Sequence, residues 1–217
     1  MDENNQCLSC VDCRAHHCFG KGERYPDFCP TVHKREVYEK AMEELREPEN
    51  NRVAIAAAEV EYEGYGRRTR VEEALQFAHK LGAKKIGIAT CLGLASESRM
   101  LARIFRLNGF EVHGAICKAG ATPKAEIGIP KECEAVGVNM CNPILQAELL
   151  NDAGTDLNLI VGLCVGHDSL FMKHSNALCT SVITKDRILG HNPAVALYQA
   201  EGYYSRLLEP QFEPEEE

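Results

Sequence analysis

The stretch CLSCVDCRAHHCFGKGERYPDFCP packs five cysteines and two adjacent histidines into a polar, turn-rich segment near the start of the chain. Cys10, Cys13, Cys18 and Cys29 are spaced C-x2-C-x4-C-x10-C, Pro30 follows the last, and Cys7 adds a further C-x2-C step. C-x-x-C turns converge sulfurs on one point and direct free backbone amides at them, the requirement of a thiolate metal site. Only Leu8, Val11, Phe19, Tyr25 and Phe28 are sizeable apolar groups here. So few side chains cannot offset the entropy of ordering the segment, and a metal or docking on a larger domain must contribute. Clustered cysteines ending in Cys-Pro favour a [4Fe–4S] cluster over Zn2+, although the x4 and x10 gaps belong to no standard ferredoxin. His16 and His17 stay outside this ligand set, because paired histidines on a polar loop usually face solvent.

A second sulfur constellation lies further along. Cys91 ends KKIGIATC, Cys117 ends FEVHGAIC, and Cys164 lies in the last turn of LNLIVGLCV. If these runs are parallel strands, three thiols share the carboxyl edge, where open α/β sheets bind ligands. Glu59 at the end of VAIAAAEV belongs to the same layer, and Cys141, just before a helix cap at Asn142, faces the same edge. A single strand-end cysteine is normally a small buried hydrophobe. Three in one layer, joined by the polar group GHD at 166–168, argue for chemistry. Cys91 precedes Gly93 and a helix start, a geometry that lowers a thiol pKa. His167 and Asp168 are candidates for a base and its orienter, with Asp168 as a helix cap the alternative. His191, in the turn GHNP, either reaches this edge or is satisfied within its turn.

The elements that must position these residues follow from apolar periodicity. VAIAAAEV (53–60), KKIGIATC, FEVHGAIC, LNLIVGLCV and ALCTSVIT read as five strands, doubly apolar as in a buried parallel sheet. TVHKREVYEKAMEELREP reads as a helix capped by Thr31 and ended by Pro48. RTRVEEALQFAHKLG has a capping box at Thr69 and Glu72 and a closing Gly82. SESRMLARIFRLNG, PILQAELLNDAG behind the Asn142 cap, and HDSLFMKHS supply further helices. Residues 118–140, with three glycines and two prolines, read as a long excursion covering one edge. The expected fold is α/β, a Rossmann-like three-layer sandwich around a mostly parallel five-stranded sheet, preceded by a small cysteine-rich metal-binding segment. The expected organisation is residues 1–30 as that segment, 31–208 as the α/β domain and 209–217 as an acidic tail.

Charge and missing motifs narrow the function. A formal net charge of −8 argues against nucleic acid as a partner. No apolar run reaches the roughly 20 residues needed to span a bilayer, and MDENNQ is no signal peptide, so a cytoplasmic location is expected. A reducing compartment turns the eleven cysteines away from structural disulfides and towards metal or thiol chemistry. Neither G-x-G-x-x-G, nor a P-loop, nor a G-x-S-x-G elbow occurs.

The stretches CVDCRAHHC…FCP, ATCLGL, CNPILQAELLNDAGTDLNLIVGLCVGHDSLF and KDRILGHNP resemble a family of cysteine-rich bacterial proteins, mostly from anaerobes, known as a domain of unknown function and often labelled metal-binding. The matching residues are Cys10, Cys13, Cys18, Cys29, Cys91, Cys117, Cys141, Cys164, His167, Asp168 and His191, whereas Cys7, Cys133 and Cys179 are additions of this chain. That resemblance implies metal binding and no particular reaction. The sequence reading is therefore a redox or metal-dependent enzyme. It would have an N-terminal [4Fe–4S] cluster (alternatively Zn2+) and a second cluster, metal or reactive thiol pair at Cys91, Cys117, Cys141 and Cys164. Its partner would be a small molecule or a redox protein. The alternative is a non-catalytic zinc module acting as a ligand or metal sensor, carrier or interaction protein.

Overall fold

In the computed structural model, residues 8–20 and 24–212 are described; Cys7 and most of the acidic tail lie outside them. The chain divides into two compact units, Met1–Glu59 and Val60–Glu217.

The first unit opens with two short 3-10 turns, Cys10–Asp12 and His17–Phe19. Ser9 and Asp12 close a capping box on the first, the Ser9 N–H donating to Asp12 Oδ2 at 2.7 Å. The helix expected to be capped by Thr31 instead starts two residues earlier. Cys29 is the N-cap and Pro30, with no N–H to leave unpaired, takes the first position of α1 (Pro30–His33). After a break at Lys34, α2 runs Arg35–Arg46. Pro48 ends it, as expected, because the residue before a proline is driven out of the helical region, and Glu47 has ψ 135.

Pro48 also begins α3 (Pro48–Gly64), and here the sequence reading is overturned. VAIAAAEV is helical, not the first of five strands. Its three consecutive alanines and the flanking glutamates are strong helix formers, and a short apolar run carries no period that separates strand from buried helix. Burial follows the helical repeat: Ala56 and Val60 are buried, Val53 is half-buried, and Ile55 is exposed. Glu59 therefore sits on a helix, and no strand carries it to the rim of the sheet.

In the second unit α4 (Arg70–Lys80) has the anticipated box, Thr69 N–H donating to Glu72 Oε2 at 2.7 Å. Then come β1 (Lys85–Thr90), α5 (Ala95–Leu107), β2 (Glu111–Ile116), α6 (Pro143–Asp152), β3 (Leu157–Val161), α7 (His167–His174), β4 (Leu178–Ile183) and α8 (Ala194–Tyr198). The excursion at 118–140 consists of 3-10 turns at Lys124–Ile127 and Lys131–Val136, tied by a bridge between Pro123 and Asn139.

The sheet has four strands, all parallel, in the order β2-β1-β3-β4. Side chains alternate between its faces. Ile86, Ile88, Leu157, Leu159 and Val161 join Leu101 and Phe105 of α5 in one core cluster. Ala89, Ala115 and Ile160 join Ala147 and Leu150 of α6 and Phe171 of α7 in the other. Gly87 is required by close approach: a Cβ there would stand 1.9 Å from Oδ1 of the fully buried Asn158. The chain steps outward from β1 to β2, then returns to the far side of β1 for β3, so the strand order reverses between β1 and β3. Open parallel sheets bind ligands at the carboxyl end of that crevice.

Candidate functional site

The residues just past the strands form the rim of this crevice. Cys91 follows β1, Cys117 follows β2, and Cys164 lies three residues beyond β3. Thr90 pairs with Ile116, so Cys91 and Cys117 are the next in register, and the Cys117 N–H donates to Thr90 O at 2.9 Å. Both side chains point to the α6 face, the face of Ala89 and Ala115. Cys141 joins them because Asn142, whose Oδ1 accepts from Leu145 N at 2.9 Å to cap α6, also donates its own N–H to Cys117 O at 2.8 Å. Cys91 and Cys141 lie close enough to Cys117 for the three thiols to act on one another's ionisation.

Their thiols are driven in opposite directions. Burial opposes ionisation of Cys91, but the Gly93 N–H, the Lys185 ammonium at 3.4 Å and the Cys117 thiol outweigh it, holding Cys91 below the ordinary thiol value. Cys117 is pushed up to about 12, chiefly by burial and further by the negative charge of Cys141 and Cys91, against the opposing Leu92 N–H at 3.3 Å. Cys91 is thus the readier of the two to ionise, beside a Cys117 thiol that keeps its proton.

Cations complete the rim. Arg187 donates from Nη2 to Cys164 Sγ at 3.2 Å and lies within electrostatic reach of Cys91 and Cys141. Lys185 and Arg187 flank Asp186 in a tightly tied turn: His191 N donates to Asp186 O at 2.8 Å, Asp186 N to His191 Nδ1 at 3.2 Å, and the Asp186 carboxylate accepts from Ile188 N and Leu189 N. His191 is satisfied within its turn, and it acts on the rim by holding the two cations there. Sequence reasoning passed over Lys185 and Arg187. KDRILGHNP did carry the signal, two basic residues either side of an aspartate in a turn after the last strand.

His167 begins α7, its N–H donating to Cys164 O at 2.9 Å. Burial first, then the Lys118 charge, lowers its pKa against the pull of Asp168, so the imidazole is neutral near pH 7. Asp168 Oδ1 accepts from the Ser169 N–H at 2.8 Å, and Asp168 does not orient His167 by a hydrogen bond. Gln146 of α6 is fully buried and donates to Thr90 O and Ala115 O, fastening the ends of β1 and β2 beneath Cys91 and Cys117. Cys133 is exposed and Cys179 half-buried within β4, neither on the rim.

The cysteines of the leading segment are arranged differently. Cys10 and Cys18 are exposed on separate 3-10 turns, Cys13 is half-buried, and Cys29 is buried at the start of α1. Hydrogen bonds from the Thr31 side chain, and then from the Thr31 and Val32 N–H groups, lower the Cys29 thiol. Among the described residues no three His, Cys, Asp or Glu side chains are disposed as a metal-ligand set. At the rim, cationic side chains stand against two of the sulfurs.

Comparison with known proteins shows the family and no activity. The model of the family described as "Protein of unknown function (DUF1847)" matches residues 29–182, from Cys29 through all four rim cysteines and ending just short of Lys185. The uncharacterized protein MJ0455 of the archaeon Methanocaldococcus jannaschii is 44% identical over 176 residues, covering 81% of this chain and 90% of the relative. No solved structure matches. No helix among the described residues is long and apolar enough to cross a membrane. With a match over most of its length, the chain belongs to the DUF1847 family.

Proposed function

We propose that this protein is a thiol-dependent oxidoreductase working at the carboxyl rim of its sheet. The observation that supports the reading most directly is the pairing of Cys91, faced by Lys185 at 3.4 Å, with protonated Cys117 next in register. Adjacent strands lie about 4.8 Å apart, inside the Cα separation of roughly 4.4–6.8 Å that a disulfide accepts. Its co-substrate is a disulfide, either of a small molecule or of a protein partner. The Cys91 thiolate attacks one sulfur of that disulfide, forming a mixed disulfide and releasing one thiolate. The negative charge on Cys91 is then gone, which eases loss of the Cys117 proton. Cys117 attacks the Cys91 sulfur, a Cys91–Cys117 disulfide forms, and the second thiolate leaves with the proton passed to solvent. The protein dithiol is oxidised by two electrons and the substrate disulfide is reduced by two. Neutral His167, the Lys118 ammonium and Arg187 lie at the same rim. Incubating the reduced protein with 2-hydroxyethyl disulfide and following thiol release tests the reading. Two thiols per chain are expected, none from Cys91→Ser, and a rate no faster than that of a free cysteine would reject it.

A second reading concerns the leading segment, and the hydrogen-bonded Cys29 thiol favours it. Cys10, Cys13, Cys18 and Cys29 would take up Zn2+ or a [4Fe–4S] cluster only by drawing together, so no chemistry is routed through a metal here. Under reducing conditions one equivalent of metal, lost in Cys29→Ser, would support this reading, and absence of stoichiometric uptake would remove it.

A further inference from the structure

The opposite face of the sheet carries a feature that the thiol chemistry does not use. Between α5 and the edge strand β2 lies a cavity of about 520 Å3. That is room for roughly 17 waters at about 30 Å3 each, and it falls in the size range of small-molecule sites. Its floor is apolar, with Ile88, Ala102, Val112 and Ile116, and its walls include Arg99 and Arg106. The sulfurs of the rim are not among its lining: Ile88, Val112 and Ile116 point to the α5 face, whereas Cys91 and Cys117 point to the other.

Three observations show what this space would accept. First, Gly114 stands at the edge with nothing within 4 Å of where a Cβ would be, so the space exists because this strand residue has no side chain. Second, the edge offers backbone hydrogen-bonding groups. Glu111 N donates to Lys84 O and Cys117 N to Thr90 O, so odd-numbered residues of β2 turn their amides to β1. By the strand repeat the Gly114 N–H and C=O point off the edge. Third, the two arginines sit seven residues, about 10 Å, apart along α5. Arg99 donates from Nη2 to Ser96 Oγ at 3.0 Å and Arg106 from Nη2 to Val112 O at 3.1 Å, and among the described residues no carboxylate is paired with either. A guanidinium has five N–H donors, so each retains several without an acceptor among the described residues. The buried hydroxyls are already spent, Ser98 Oγ donating to Thr90 Oγ1 at 2.6 Å, so they add no polar demand to the floor.

We propose that this cavity is a binding site for a small organic anion with an apolar body, its carboxylate or phosphate held by Arg99 or Arg106 and its apolar part laid on β2 over Gly114. Calorimetric titration of the full-length reduced protein with octanoate, with octanol as the uncharged control, tests it. Octanoate should bind at least tenfold tighter than octanol. The Arg99→Gln/Arg106→Gln double variant should lose at least tenfold in octanoate affinity. Gly114→Val should abolish binding with Cys91 alkylation unchanged, and the surface arginine variants keep the test open should that core-facing variant fold poorly. No octanoate binding, equal affinity for octanol, or wild-type affinity in both variants would overturn the proposal. None of these results bears on the thiol reaction, which is read separately.

Discussion

Replacing Lys185 by glutamine removes the ammonium 3.4 Å from the Cys91 sulfur and leaves a side chain of similar length. At that separation Coulomb's law gives about 5 kcal/mol with an effective dielectric constant near 20 and about 1.2 kcal/mol in bulk water. Both groups are half-buried, so solvent screens the pair and the lower end applies, about 1–2 kcal/mol. Since about 1.4 kcal/mol is tenfold, the thiolate fraction of Cys91 should fall roughly tenfold at any pH below its titration. The remaining thiolate is more basic and more nucleophilic, with a Brønsted coefficient near 0.4–0.5, which returns about threefold. The net expectation is an iodoacetamide alkylation rate at Cys91 about threefold slower at neutral pH. The whole pH–rate curve should be displaced to higher pH and its plateau raised. Lys185→Arg, which keeps the charge, should stay near wild type. Site-resolved alkylation followed by mass spectrometry over a pH series measures all of this. An unchanged curve in Lys185→Gln would refute the assignment of Lys185 as the group that holds the thiolate.

Cys117→Ser should halt exchange after the first step, so that the mixed disulfide on Cys91 accumulates and is seen in the intact mass. Gly87→Ala forces a methyl towards Asn158 Oδ1. Overpacking of this kind costs about 1–3 kcal/mol, so thermal unfolding should drop by roughly 3–10 °C. The Asp156 carboxylate accepts from Lys84 N and Lys85 N, and these hydrogen bonds first, with the nearby lysine charges, hold its pKa down. A depressed carboxyl contributes stability that is present above the unfolded value near 3.9 and lost as pH falls through the folded value. Denaturant titrations should therefore find Asp156→Asn weaker by about 1 kcal/mol at pH 7, an exposed charged hydrogen bond, with the gap closing as the pH falls below about 4.

Local signals in the sequence located most of the second unit. The Thr69/Glu72 box, the Asn142 cap and four apolar runs gave elements that the structure retains, and the cysteines at the ends of three runs were placed on one edge. VAIAAAEV misled because a run of eight apolar-rich residues fits a buried strand and a helix face equally, and only the surrounding helix formers distinguish them. The rim's electrostatics were hidden for a different reason. Lys185 meets Cys91 across 94 residues and Arg187 meets Cys164 across 23, contacts that exist only once β3 lies between β1 and β4. In the leading segment the spacing C-x2-C-x4-C-x10-C permits convergence of the sulfurs, and the described residues carry Cys10 and Cys18 on separate 3-10 turns and Cys29 at the start of α1.

The rim as a dithiol centre is tested most directly by oxidising the reduced protein with one equivalent of a small disulfide and mapping its cysteine peptides. The account predicts loss of two hydrogens from the intact mass and a single new crosslinked peptide joining Cys91 to Cys117. A map in which Cys91 and Cys117 both remain free thiols, or in which Cys91 is joined elsewhere, would contradict it.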